Sequence, residues 1–324
     1  MNTAPTTHAP AIDAWTTRRL LAWIGDAFGK KCLDSPRLSA EILVAHVLKC
    51  DRLKLYLDQD RPASAAERDR LRDLVGRALK HEPLQYLVGE WPFFGLTLRV
   101  DKRALIPRPC TELIVERLIQ HVRAAARSAK ESPTDEKPAP SRPALGEGLR
   151  IADVCTGSGC IAVAVAKHLP GCRIVASDLS PEALDLAREN ATRHALTDRI
   201  TFVQGDLLAP LESQGVAGFD AIVSNPPYIP DHEWAAVPSN VKDHEPTMAL
   251  RGGADGLQFV RPLIAHAPRL LKPGGTLLVE IASSTADAVL RLARVALADC
   301  AILTDHEGLP RVLEAKRHAG MPTR

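Results

Sequence analysis

Residues 149–168 read LRIADVCTGSGCIAVAVAKH. Leu149–Val154 reads as a strand, and Cys160–His168 reads as a helix. Gly157 and Gly159 between them permit a tight turn and close approach of a ligand to the backbone at the helix N-terminus. Strand, glycine turn and helix in that order open a parallel α/β sheet, whose ligands lie at the carboxyl ends of strands. Taken alone, the turn also suits a plain strand-to-helix connection. With Ala162 in the third place of a Gly-x-Gly-x-x-Gly pattern, it fits a nicotinamide cofactor as well as an adenosyl one.

The same alternation continues downstream. Strands are predicted at Arg173–Ser177, Ile200–Gln204, Phe219–Ser224 and Thr276–Ile281, with helices at Pro181–His194, around Gly256–Leu271, and at Thr285–Ala298. Such alternation implies a mainly parallel sheet covered on both faces. The last two strands, near Ala301–Thr304 and Arg311–Ala315, are joined by a link too short for a crossover, which predicts an antiparallel pair.

Upstream the period changes. Leu20, Leu21 and Ile24 recur at helical spacing; Ser35-Pro36 opens a helix with Leu38, Ile42, Leu43, Val47 and Leu48 on one face. Ser64 with Glu67 forms a capping box ahead of Leu71, Leu74 and Val75. Residues 15–90 therefore read as a small helical domain after a polar tail, 1–14. Residues 91–125 read as a β-hairpin turning at Asp101-Lys102, then a loop, then a helix through Gln120 that Thr111 caps. Ala126–Gly148, rich in Pro, Ser and charge, reads as a linker, and 149–324 as the catalytic domain.

The 324 residues are enough for more than one domain, and 45% hydrophobic with 25% charged is ordinary for a globular protein. A formal charge of +2 gives no global attraction to nucleic acid, so no stable nucleic-acid partner is expected. Seven dispersed cysteines without a Cys-x-x-Cys pair make a poor disulfide framework and suit the cytoplasm. No run approaches transmembrane length, and no metal-ligand spacing links the histidines.

Three further strand ends carry chemistry. Asp178 follows the second strand of the sheet, where a carboxylate either accepts both ribose hydroxyls or caps the helix at Pro181. Asp206 follows the third, either as a turn residue or as an acceptor for an adenine amino group, with Leu207 beside the ring. Asn225-Pro226-Pro227-Tyr228 follows the fourth. Asn-Pro-Pro alone makes a rigid turn. It also supplies two acceptors for a planar NH2 group, the Asn225 side-chain oxygen and the Pro226 carbonyl, fixed because proline restricts its own φ and its neighbour's conformation. Tyr228 offers a flat face to a flat substrate.

These four strand ends together resemble the S-adenosylmethionine-dependent methyltransferases of the Rossmann-like class. The stretches Glu82–Gly89, Leu105–Glu112, His244-Glu245-Pro246 and Gly252–Leu257 resemble the peptide chain release factor glutamine methyltransferases (the HemK-like, PrmC family). The resemblance implies a seven-stranded sheet with one antiparallel strand, plus a helical domain joined by the hairpin. It implies S-adenosylmethionine held by Asp153, Cys155, Thr156, Gly157, Ser158, Gly159, Asp178, Asp206, Leu207 and Asn225. It implies a glutamine side chain bound by Asn225, Pro226, Pro227 and Tyr228, with Asn225, Pro226 and Tyr228 catalytic. The partner implied is a release factor, docked by the helical domain of a monomeric enzyme. The Asp-x-Cys-Thr-Gly-Ser-Gly-Cys form also resembles the sister enzyme acting on a glutamine of a large-subunit ribosomal protein. Adenine methylation of nucleic acid uses a similar tetrapeptide.

Overall fold

A computed structural model describes residues 15–31, 33–131 and 144–320. The expected tail, 1–14, and residues 132–143 of the expected linker lie outside them. Contacts divide the chain into two units between Val88 and Gly89.

The first unit holds α1 (Thr17–Lys30), α2 (Pro36–Leu48), α3 (Arg52–Leu57), α4 (Ala65–Ala78) and α5 (Leu84–Val88). Leu20, Ile24, Phe28, Leu43, Leu71 and Leu74 form its core. The capping box is present at α4: Ser64 Oγ accepts from Glu67 N at 3.2 Å and Glu67 Oε2 accepts from Ser64 N at 2.8 Å. The inward face of α2 is rotated from the predicted one. Ala40, Leu43 and Val44 are buried, while Leu38 is 39% exposed. The helix is apolar on most sides, so periodicity alone does not select a face; the bonds of Glu41 to Arg52 and Tyr56 help turn it.

The second unit begins with β1 (Glu90–Phe93) and β2 (Leu96–Arg99), a hairpin that turns at Phe94-Gly95 and not at Asp101-Lys102. Phe94 and Gly95 take φ of 46° and 76°, the double positive φ that suits strand twist in a two-residue turn. A 3-10 turn, Pro109–Thr111, leads into α6 (Glu112–Glu131), which runs past the predicted end at Gln120 and through the first residues of the expected linker. Alanine, arginine, lysine and glutamate there have good helix propensity without an apolar stripe.

The remaining elements are β3 (Arg150–Val154), α7 (Cys160–His168), β4 (Arg173–Asp178), α8 (Pro181–Arg193), β5 (Ile200–Gln204), α9 (Ala209–Ser213), β6 (Phe219–Ser224), α10 (Ser239–Lys242), α11 (Val260–Leu270), β7 (Leu271–Glu280), α12 (Ala286–Ala296), β8 (Ala298–Thr304) and β9 (Pro310–Lys316). The sheet order is β5-β4-β3-β6-β7-β9-β8, parallel except for β9, which runs antiparallel to both neighbours. Side chains alternate across it. Ile151, Val223 and Leu278 pack with α6 and α7, while Ala152, Ile222 and Val279 pack with α11 and α12. Strand order reverses between β3 and β6, which places the glycine turn beside the Asn225 turn.

Candidate active site

A cavity of about 400 Å³ opens at that switch point, within the range of small-molecule sites. The loops after β3, β4, β5 and β6 all reach it: Cys155, Thr156, Gly157, Ser158, Asp178, Asp206, Leu207, Asn225 and Pro227 line it. Asp153, Gly159, Pro226 and Tyr228 do not.

Asp153 lies beneath the glycine turn, fully buried. Its Oδ2 accepts from Thr156 Oγ1 at 2.6 Å and from Ala162 N at 3.0 Å, so it stitches strand, turn and helix together. Burial pushes its carboxyl up to about 7, against the pull of those two bonds. Gly159, at φ 78°, brings α7 against α8; a Cβ there would sit 3.0 Å from Ala187 Cβ. Asn190 of α8 donates to the Ser158 carbonyl at 2.9 Å and exchanges bonds with the Arg99 backbone, tying the glycine turn to β2.

Asp178 braces two loops. Its Oδ2 accepts from Gly157 N at 2.8 Å and its Oδ1 from Ser180 N at 3.0 Å. A carboxylate has about four acceptor positions, so each oxygen keeps capacity toward the cavity. Burial raises its pKa, opposed by the backbone N–H bonds. Leu179, 51% exposed, lines the cavity next to it and was not singled out from sequence.

The Asn225 turn is held from two sides. Asn225 Nδ2 donates to Thr111 Oγ1 at 3.1 Å, Thr111 Oγ1 donates to Glu280 Oε2 at 2.6 Å, and Tyr228 Oη donates to Glu280 Oε1 at 3.0 Å. Thr111 is therefore a ligand of Glu280 and not the helix cap. Asn225 Oδ1 is buried and has no hydrogen-bond partner among the described residues; Ser158 Oγ shares that state. Both residues line the cavity, and a buried polar atom left unpaired on each is costly unless a ligand uses it. Beyond Tyr228, Ile229 N donates to the Leu250 carbonyl at 2.9 Å and Gly252 N to the Ile229 carbonyl at 2.8 Å. A Cβ at Gly252 would lie 2.7 Å from the Tyr228 backbone, so glycine lets the two segments close. Arg108 pairs with Glu245, whose Oε2 also accepts from Ile106 N at 2.9 Å, and Glu112 accepts from Phe94 N at 2.7 Å. Both residues therefore brace segments of this unit.

Sequence reading missed Thr111 as a support and Glu280 altogether. A lone carboxylate inside the apolar strand LLVEI was the available signal.

With this geometry in place, the comparisons with known proteins are direct. Residues 19–89 match the family model described as the PrmC N-terminal domain, and residues 145–307 match a methyltransferase domain. The chain is 39% identical over 305 residues to the release factor glutamine methyltransferase of Chlorobaculum tepidum, covering 94% of this chain and 98% of that protein. The Geobacter sulfurreducens protein of the same name is 39% identical over 308 residues, covering 95% and 98%. The chain belongs to the release factor glutamine methyltransferase family. It is accordingly an S-adenosylmethionine-dependent methyltransferase. Among solved structures, the hMettl16 catalytic domain in complex with an RNA hairpin aligns over 82% of this chain and 87% of its own, at TM-score 0.51 and 15% identity, a likeness of fold alone. Among the described residues no helix is long and apolar enough to cross a membrane.

Proposed function

We propose that this enzyme methylates the side-chain amide nitrogen, N5, of the glutamine in the Gly-Gly-Gln motif of peptide chain release factors. The observation that carries the reading is Asn225 Oδ1: a buried acceptor without a partner, at the cavity wall, on an amide whose nitrogen is already held.

S-adenosylmethionine, when bound, supplies an electrophilic methyl on a positively charged sulfur. The cavity residues suit it. Asp178 is assigned to the ribose hydroxyls, Asp206 and Leu207 to the adenine, and the glycine turn with Ser158 Oγ to the amino-acid end. An amide nitrogen is a poor nucleophile because its lone pair is delocalised into the carbonyl. Asn225 Oδ1 and the Pro226 carbonyl accept its two N–H bonds and aim the lone pair. As the nitrogen lone pair takes the methyl, the electron pair of the broken carbon–sulfur bond would stay on sulfur as a neutral thioether; positive charge grows on nitrogen and both acceptors bind more strongly, so fixed dipoles stabilise the transition state. The product nitrogen then loses a proton readily, and no dedicated base is required. Tyr228, its hydroxyl anchored on Glu280, is assigned to the amide plane.

A single glutamine gives little affinity. The helical unit is assigned to docking the rest of the factor, by a monomeric enzyme in the cytoplasm. The test is to incubate the enzyme with labelled methyl donor and, separately, a release factor, a large-subunit ribosomal protein and DNA, then map the label by mass spectrometry. Label on the release-factor glutamine, lost when that glutamine is replaced, is expected. Label confined to the ribosomal protein or to adenine overturns the reading.

A further inference from the structure

We propose that Glu280 is a positioning residue: through the single proton of the Thr111 hydroxyl, it sets which atom of the Asn225 amide faces the cavity. This deepens the functional reading above and rests on it for the use made of that atom. The side-chain geometry itself is independent of the substrate.

The number of protons available around Glu280 decides the orientation. Glu280 ends β7, is fully buried, and as a carboxylate can only accept. It receives Thr111 Oγ1 at 2.6 Å, Tyr228 Oη at 3.0 Å and the Cys110 thiol at 3.6 Å. A threonine hydroxyl has one proton. Once that proton points at Glu280, the oxygen can only accept from Asn225. An amide can satisfy it in one orientation, with Nδ2 toward Thr111 at 3.1 Å and Oδ1 left for the cavity. The reversed amide would set two acceptors, Oδ1 and Oγ1, against each other and would present NH2 donors to a substrate NH2.

Glutamine at position 280 removes this constraint. Its single oxygen can receive one hydroxyl, and its NH2 must donate to the other. A donation to Thr111 frees the hydroxyl proton, which then finds Asn225 Oδ1 and stabilises the reversed amide. Three donors, Thr111 Oγ1, Tyr228 Oη and the Cys110 thiol, converge on the two oxygens of Glu280, as a carboxylate acceptor requires. Burial raises its pKa overall, against the hydrogen bonds of Thr111, Tyr228 and Cys110 and the charge of Arg311. Its direct partners among the described residues are neutral donors, and of these Thr111 is the one that also touches Asn225.

The experiment uses the full-length enzyme and the variants Glu280→Gln, Thr111→Val and Thr111→Ser. Steady-state kinetics with a release factor, calorimetry with S-adenosylmethionine, and the side-chain amide resonances of Asn225 are measured for each. Glu280→Gln and Thr111→Val are expected to lower kcat tenfold or more with the cofactor Kd within about twofold, and to shift the Asn225 amide protons. Thr111→Ser, which keeps the hydroxyl, is expected to restore both kcat and the resonances. Wild-type kcat in Glu280→Gln, or unchanged Asn225 resonances in Glu280→Gln and Thr111→Val, overturns the inference. So does a parallel loss of kcat, cofactor binding and melting temperature in Thr111→Val and Thr111→Ser alike. Failure of the wild type to methylate any release factor would defeat the functional reading, while the resonances would still decide this one.

Discussion

In the helical unit, Glu41, Glu67 and Glu82 each meet an arginine. Glu41 pairs with Arg52 at 2.6 Å and Arg37 at 3.2 Å, Glu67 with Arg61 at 2.7 Å, and Glu82 with Arg77 at 2.7 Å. In the sheet unit, Asp231 at the cavity rim also pairs with an arginine, Arg251, at 2.7 Å, but three deeper carboxylates are held by neutral donors among the described residues. Asp153 is bonded to a hydroxyl and a backbone N–H, Asp178 to two backbone N–H groups, and Glu280 to two hydroxyls and a thiol. The pKa directions follow. Burial opposes the charge on Glu41, but Tyr56 and the arginines win and its pKa falls, whereas burial prevails at Asp153, Asp178 and Glu280 and their pKa values rise. The paired charges of the helical unit fasten its helices and loops to one another. Carboxylates held by neutral donors orient those donors, and their incompletely compensated charge suits a cavity that receives a cation.

The largest expected effect breaks the orienting side of this contrast. Asn225→Ala removes the unpaired acceptor and should lower kcat by about 10²–10³, the cost of one preorganised transition-state hydrogen bond. Melting temperature should scarcely move, because the lost side chain makes one bond, to Thr111. Single-turnover kinetics with saturating donor check this. Near-wild-type rates would show that the acceptor is not used.

Asp178 tests whether an oriented carboxylate also binds. Hydrogen bonds to charged groups are worth about 1.5–3 kcal/mol, so Asp178→Ala should weaken S-adenosylmethionine binding by roughly tenfold or more. Asp178→Asn keeps one acceptor and should fall between the two. Calorimetry that finds all three alike would reduce Asp178 to its bonds with Gly157 and Ser180.

How far the sequence reveals this contrast depends on separation along the chain. The glycine turn, Asp178, Asp206 and Asn225 are each readable because each ends a strand whose apolar run is clear. The element bounds there are nearly those predicted, and Cys160–His168 and Phe219–Ser224 coincide. Thr111 and Glu280 are separated by 169 positions, and neither sits in a motif with the other; only the sheet brings them together. Asp101-Lys102 has turn-like side chains and so mimics the hairpin turn, while the actual turn hides an aromatic residue, Phe94, at positive φ. Helix α6 was cut short because apolar spacing fades before helix propensity does.

A smaller effect is expected where a fastening carboxylate is broken. Glu41→Gln leaves arginines that reach water, since the side chain of Arg37 is 82% exposed and that of Arg52 54%. The loss should therefore be about 1–2 kcal/mol, below that of a fully buried pair. It should appear as faster amide exchange in α2 and α3 with kcat unchanged. A fall in kcat matching that of Glu280→Gln would erase the distinction between the two kinds of carboxylate.

The smallest effect, and the one that compares the units most directly, is the sign of their pH dependence. Glu67 is held at about 2, first by Arg61 and then by the Ser64 cap, against an ordinary value of 4.5. Its contribution is present above its unfolded pKa and is lost as pH falls from about 4.5 toward 2. Asp153 is raised to about 7 from 3.8, so the fold favours its protonated form; that contribution is present below 3.8 and is lost as pH rises through about 7. Solvent screening reduces the Glu67 share, leaving an expected difference of roughly a few degrees in melting temperature. Melting curves of wild type, Glu67→Gln and Asp153→Asn over this pH range separate the two. The deficit of Glu67→Gln should close as the medium is acidified, and Asp153→Asn should gain on wild type as the medium is made neutral. Asp153→Asn keeps an oxygen for Thr156 and Ala162, so a pH-independent difference would place its ionisation back in the ordinary carboxylate range and remove Asp153 from the contrast.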